Sequence, residues 1–79
     1  MKKNLTELKI GDWGSVSLDS DLDEYMISRG VHYGEKIEVI RKAPFGDPIC
    51  VRISDINLCM NLEEAKKIFV RGSRLTFKI

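Results

Sequence analysis

The stretch of residues 49–60 reads ICVRISDINLCM, and it decides the fold. Apolar residues alternate with other residues on both sides of Ser54 and Asp55, which is the two-residue period of a β-strand. A two-residue turn at Ser54 and Asp55 predicts a β-hairpin with one face on the core. Ser-Asp is less usual than Asn-Gly in such a turn, which leaves a looser turn open. The predicted cross-strand pairs are Ile53–Ile56, Val51–Leu58 and Ile49–Met60.

Upstream of the hairpin, the sequence predicts a loop and two more strands. Two prolines and a glycine make residues 43–48 a loop, because these residues do not fit a strand ladder. Residues 35–42 alternate as a strand. Residues 15–18 form another strand, with Val16 and Leu18 on one face.

Two short helical segments are predicted around these strands. Ser20 is the expected N-cap of a helix over residues 21–29, and Gly30 is its left-handed stop. Asn61 is the expected cap of one or two turns over residues 62–67.

The end of the chain completes the predicted architecture. Residues 68–70 form a last short strand, and the tail over residues 71–79 either adds an edge strand or stays unpaired. Five short strands, with a helix between the first and the second, suit a small, partly open SH3-like barrel. The fold class is therefore mostly β.

Composition bounds the function. The chain has 79 residues, 43% apolar and 32% charged, with a net charge of +1. This length makes one domain over residues 1–79, with little room for a deep active site. The balanced charge disfavours a nucleic-acid partner held by bulk electrostatics. Because no apolar run approaches the roughly 20 residues that cross a bilayer, and the basic N-terminus is not followed by the apolar stretch of a signal peptide, we expect a cytoplasmic protein that does not insert into the membrane.

Four runs of the sequence resemble the FeoA family in order and spacing, over about residues 5–71. They are GDWGSV (11–16), RGVxxGEKIEV (29–39), APFGDP (43–48) and EEAxxIxV (63–70). The resemblance implies an SH3-like barrel and a non-enzymatic, cytosolic accessory role in ferrous iron uptake. It also implies a partner, the FeoB membrane transporter with its GTP-binding domain. The chain departs from the family where Tyr33 replaces a common proline and Asp55 a hairpin glycine.

Two loops hold residue types that anchor protein interfaces. The candidate partner-binding residues are Arg29, Val31, His32, Tyr33, Pro44 and Phe45. An alternative stays open for each loop. Residues 29–34 could serve only as a helix C-cap, with Tyr33 packed on the barrel. In the loop over residues 43–48, Phe45 could fold back over an open barrel end.

Cys50 and Cys59 fall opposite each other in the predicted hairpin, on the face away from the core pairs. A directly opposed pair forms a disulfide only with strain, and a reducing cytosol opposes it. A metal site normally takes three or four ligands, and the sequence does not place the single histidine, His32, near the two cysteines. We therefore expect small buried thiols and no metal site.

The remaining polar residues do not indicate chemistry. Asp19, Asp21, Asp23 and Glu24 lack the spaced ligands of an EF-hand and fit a solvated helix start. With no nucleophile elbow and no phosphate-binding glycine loop, we expect no catalytic residue, no enzyme activity and no cofactor. Two other binding functions stay open: an SH3-like module for peptides or nucleic acid, and a detached regulatory domain of a metal-dependent repressor.

Overall fold

The computed structural model of the protein describes residues 2–74. Its six strands are β1 (Lys2–Asn4), β2 (Trp13–Val16), β3 (Lys36–Lys42), β4 (Ile49–Ile53), β5 (Ile56–Met60) and β6 (Phe69–Arg74). The helices are α1 (Glu24–Ser28), α2 (Leu62–Ala65) and a 3-10 turn over Leu5–Glu7. All strand pairs are antiparallel in the order β1-β6-β2-β3-β4-β5, so β1 and β5 are the edges. The mostly-β architecture is confirmed, with six strands where about five were expected.

The β4–β5 hairpin has the predicted register in all three apolar pairs. Its turn is the tight one, because Ser54 and Asp55 both have positive φ, at 49° and 61°. Two positive φ values match a type I′ turn, whose twist suits the flanking strands. The expectation that all six apolar residues face the core is wrong for Ile56, which is 49% exposed beside the turn.

One apolar cluster fills the interior, and every strand except β1 contributes to it. Its largest fully buried side chains are Leu5, Leu8, Ile37, Ile49, Ile53 and Ile68. Where β2 crosses β6, the two backbones approach so closely that a Cβ at Gly14 would lie 2.1 Å from the Arg71 carbonyl oxygen. Only glycine fits at that crossing, since real Cβ atoms do not come so near a backbone oxygen.

β1 pairs with β6, which corrects the predicted tail. β6 lies between β1 and β2, so Phe69–Arg74 is an interior strand and not an edge. The edge is β1, which was not predicted because Lys2–Asn4 is polar throughout. The part of the tail prediction that falls on residues 75–79 lies outside the described residues.

The connection between β2 and α1 also differs from the prediction. β2 ends at Val16, and Leu18 is 82% exposed. Helix α1 begins at Glu24 with Asp23 as its N-cap, so the predicted span of 21–29 is too long. The predicted stop is confirmed, because Gly30 follows the helix with a φ of 105°. Among residues 2–74 there is no helix long and apolar enough to span a membrane.

Candidate functional site

Helix α1 lies against the edge strand β5, and a narrow cleft runs between them. The residues that line this α1–β5 cleft are Tyr25, Met26, Arg29, Val31, Leu58, Cys59, Met60 and Glu64. The cleft therefore has an apolar floor of buried core side chains. Its rim is formed by the exposed residues Tyr25, Arg29 and Cys59.

Arg29 is held in place at the rim by its neighbour one helical turn earlier. Its guanidinium lies over the Tyr25 ring, 5.1 Å from the centroid, and donates a hydrogen bond to the Tyr25 hydroxyl. The spacing of four residues puts both side chains on one helix face. Arg29 is thus an exposed cation that lies against the Tyr25 ring.

Asp23 determines where α1 begins. Its carboxylate accepts a 2.8 Å hydrogen bond from the Met26 amide. That hydrogen bond is the main cause that lowers the pKa of Asp23 below its ordinary 3.8, with a smaller contribution from Lys67, whose ammonium lies 3.5 Å away. The acidic residue is therefore structural, as a helix cap should be.

In the loop after α1, one predicted contact residue is buried and two are exposed. Val31 is fully buried, and its amide donates to the Met26 carbonyl at 3.1 Å, so it holds the loop on the core. His32 is exposed. Tyr33 is 44% exposed, while its hydroxyl donates to the Ser20 carbonyl at 3.1 Å. Tyr33 thus anchors the loop with its hydroxyl and leaves part of its ring accessible.

The loop over residues 43–48 displays Phe45, which is 95% exposed. The Gly46 amide donates to the Ala43 carbonyl at 2.7 Å, and the Ala43 amide donates to the Pro48 carbonyl at 3.1 Å. The Asp47–Pro48 peptide bond is cis. The alternative that Phe45 folds back over the barrel is wrong, because two backbone hydrogen bonds close the loop with this ring outside.

A second depression, the proline groove, lies beside that loop. Its lining residues are Arg41, Lys42, Ala43, Pro44, Pro48, Cys50 and Cys59. The Lys42 ammonium is engaged inside the molecule, where it donates to the Leu8 carbonyl at 2.8 Å. Because Cys59 lines the α1–β5 cleft as well, the cleft and the groove meet at this residue.

Cys50 and Cys59 are joined by a disulfide, so the expectation of two small buried thiols is wrong. They are directly opposed in the register of β4 and β5, with a Cα–Cα distance of 3.9 Å. Cys50 is buried at 5% exposure, whereas Cys59 is exposed. The predicted register already placed the two cysteines opposite each other, but alternation along the strands does not show that one of them faces solvent.

The acidic residues before α1 do not converge on a common point. Asp19 forms an ion pair with Lys2, and this hydrogen-bonded partner lowers the pKa of the Asp19 carboxyl. Asp23 caps the helix. Within the described part of the chain, no group of three or more metal-binding side chains is found.

Comparison with known proteins finds solved structures with the same fold. A search of curated proteins finds no match to this chain. The solved FeoA protein of Chlorobium tepidum is 34% identical, with a TM-score of 0.79 over 90% of this chain and 70% of its own. A manganese-dependent transcriptional repressor is 25% identical, with a TM-score of 0.80; 90% of this chain matches, but this spans only 41% of the repressor.

A third solved structure shares the fold at lower identity. It is the FeoA of Stenotrophomonas maltophilia complexed with zinc, described as an SH3 domain protein, at 24% identity and a TM-score of 0.70 over 90% of this chain and 89% of its own. The six-stranded sheet and this likeness define a small SH3-like domain. The FeoA domain model matches residues 3–72, and the chain therefore belongs to the FeoA family. This membership supports a role in ferrous iron transport.

Proposed function

We propose that the protein is a non-enzymatic, cytosolic accessory of ferrous iron uptake that binds and regulates a FeoB-type GTP-binding membrane transporter. Family membership supports the pathway. The docking surface comprises α1, residues 29–34, residues 43–48 and the outer side of β5 at Cys59. This surface would meet a cytosolic part of the transporter.

The observation that carries the proposal is a set of exposed apolar side chains on α1, on the loop that follows it and at the start of β5. Tyr25 is 54% exposed, Ile27 40%, Tyr33 44% and Ile56 49%. Ile56 lies next to the end of α1, because its Cδ1 is 3.5 Å from the position that a Cβ would have at Gly30. Single exposed apolar residues are ordinary, but a group of them beside an arginine is typical of a protein interface.

The anchor residues of this surface also make contacts within the molecule. Arg29 is stacked on Tyr25, and Phe45 stands on a loop that is closed by two backbone hydrogen bonds. Anchors that are already ordered lose less conformational entropy on binding. Aromatic and arginine anchors of this kind carry most of the energy in measured interfaces.

Two substitutions test the docking surface. Arg29→Glu reverses the oriented charge, and Phe45→Ala removes the most exposed ring. Each should weaken binding to the transporter's cytosolic domain by about tenfold or more, which corresponds to a loss of about 1.4 kcal/mol for a central anchor. Binding would be measured by calorimetry and ferrous iron uptake in cells that depend on the protein.

Matched controls lie elsewhere on the molecule. Lys9→Glu reverses a charge on the connection before β2, and Leu18→Ala truncates a side chain that is 82% exposed. Both should bind and transport like the parent. All four variants should keep the parent's circular dichroism and melting temperature. Parent-like binding by the Arg29 and Phe45 variants would show that this surface is not the docking site.

The similarity to the manganese-dependent repressor favours a second candidate, a detached regulatory domain of that kind of protein. Such a domain, or an SH3-like module for peptides or nucleic acid, would select other partners. A pull-down from membranes and from the DNA-bound fraction with the tagged protein separates the candidates. Recovery of the transporter supports the first function, and recovery of a repressor or of DNA supports the second.

A further inference from the structure

We propose that Cys50 and Cys59 form a reversible thiol–disulfide exchange site, which small thiols reduce and small disulfides reoxidise, and that its state sets how tightly the docking surface binds. The first half rests on the position of the two cysteines alone. The second half rests on the proposed function, because it concerns the same surface.

Access to the pair is one-sided. Cys59 is exposed on the outer side of the edge strand, whereas Cys50 is 5% exposed. A small thiol or disulfide therefore reaches the Cys59 sulfur first, and Cys50 acts as the resolving partner. Exposed disulfides are the ones that exchange readily with a thiol pool, in contrast to buried structural bridges.

The exchange is a two-electron reaction. In oxidation, the Cys59 thiolate attacks one sulfur of a small disulfide, which forms a mixed disulfide and releases one small thiolate. The Cys50 thiolate then attacks the Cys59 sulfur and releases the second. Two electrons pass from the protein to the small disulfide, and the two cysteine protons end on the two small thiols. Reduction by two small thiols is the reverse sequence.

Each of the two depressions that Cys59 lines also contains an arginine. Arg29 lines the α1–β5 cleft and Arg41 lines the proline groove, whereas the Lys42 ammonium is engaged by the Thr6 and Leu8 carbonyls. A cationic neighbour stabilises the thiolate, which is the nucleophile in exchange. Glu64 also lines the cleft, where its carboxylate accepts a 3.1 Å hydrogen bond from the Asn61 amide.

Geometry couples this site to the docking surface. Cys59 belongs to the walls of both the cleft and the groove. It lies on β5, which pairs only with β4 among the described strands. Opening the cross-link lets this edge strand move more freely, and both depressions share that strand. The oxidised form therefore holds them in one arrangement, which lowers the entropy lost on binding.

The β4–β5 hairpin has core contacts besides the cross-link. Val51 and Leu58 pair on the opposite face of the same hairpin, at 0% and 7% exposure. These core contacts remain when the two sulfurs separate. The reduced protein should therefore stay folded, so that its binding can be compared with that of the oxidised form.

Thiol counting tests the first half without any partner. The protein would be equilibrated with a series of ratios of reduced to oxidised glutathione, alkylated and analysed by mass spectrometry. We expect species with zero or two free thiols that interconvert in one transition. Two free thiols at every ratio, or a stable single-glutathione adduct in place of the closed pair, would overturn the exchange site.

Backbone amide shifts test how far the change reaches. In spectra of the ¹⁵N-labelled protein, reduction should shift the amide signals of the two cysteines. It should also shift those of Arg29 in the cleft and of Ala43 and Gly46 in the loop over residues 43–48. A Cys50→Ala/Cys59→Ala variant under the same treatment should show no shifts. Shifts confined to β4 and β5 would overturn the coupling.

Affinity for the transporter's cytosolic domain tests the second half directly. The oxidised protein should bind at least about threefold more tightly than the reduced protein, as expected for a preordered surface. The double alanine variant should be insensitive to glutathione. Equal affinity of the two forms would overturn the second half. If neither form binds, the proposed function and the second half both fail, while the thiol counts still decide the exchange site.

Discussion

Asp23 shows at the scale of one residue why the start of α1 was predicted three positions too early. Ser20 has the side chain of a good N-cap, but its hydroxyl accepts from the Phe69 amide at 2.8 Å and donates to the Phe69 carbonyl at 3.1 Å. This contact joins residues that are 49 positions apart. Because a local sequence pattern contains no information about this contact, the pattern predicted Ser20 as the cap, whereas Asp23 is the N-cap of α1.

The lowered pKa of Asp23 makes the helix cap sensitive to acid. A carboxyl whose folded-state pKa lies below its ordinary 3.8 stabilises the fold above that pH, and the contribution is lost as the pH falls through the lower, folded value. Asp23→Ala should therefore lower the melting temperature at pH 7, and its difference from the parent should shrink below pH 3.8.

Asp23→Asn is the matched control for this prediction. Its amide oxygen can still accept from the Met26 amide, but it does not titrate. The variant should melt near the parent at neutral pH and keep its advantage over Asp23→Ala in acid. Melting curves at several pH values provide the measurement. A parent–alanine difference that does not change with pH would contradict the role of the carboxylate.

At the scale of elements, the β4–β5 hairpin was predictable because its apolar positions alternate without a break. A slip of one residue would turn all of them to the wrong face, so the pattern fixes the register. The alternation did not predict that Ile56 is exposed, because this exposure depends on where the core ends. Its neighbour Leu58, in the middle of the strand, is 7% exposed.

These two residues provide a paired test of the hairpin. Leu58→Ala removes a buried side chain and should lower the free energy of unfolding by roughly 2–5 kcal/mol. Ile56→Ala should lower it by about 1 kcal/mol or less, because half of that side chain is already in water. Urea unfolding of both variants gives the two values. Similar losses in both, or a larger loss for Ile56→Ala, would contradict the register and the extent of the core.

β1 and the long β6 could not be predicted from local sequence, because both depend on pairing between distant parts of the chain. Lys2–Asn4 has no apolar alternation and becomes a strand only because β6 offers it a partner. The close crossing of β2 and β6 at Gly14 likewise depends on pairing across 57 positions, from Gly14 to Arg71. Neither feature is encoded in a local period, and both follow from the topology.

At the scale of the whole molecule, the sequence named Arg29, Tyr33 and Phe45 but could not say how they are related in space. The strand order β3-β4-β5 brings the proline groove and the α1–β5 cleft to the two sides of Cys59. Val31 was predicted to be a contact residue, whereas its side chain is in the core. Spacing alone does not tell which residues of a loop point inward.

The central claim is that the docking surface binds the transporter, and a nuclear magnetic resonance titration tests it most directly. The ¹⁵N-labelled protein would be titrated with the unlabelled cytosolic GTP-binding domain of the FeoB-type transporter. We expect the largest shifts and line broadening at Tyr25, Arg29, Tyr33, Phe45 and Cys59. Lys3 and Lys9, which are outside the docking surface, should stay unchanged. Perturbation centred on β1 and the connection before β2, or none at saturating concentration, would contradict the account.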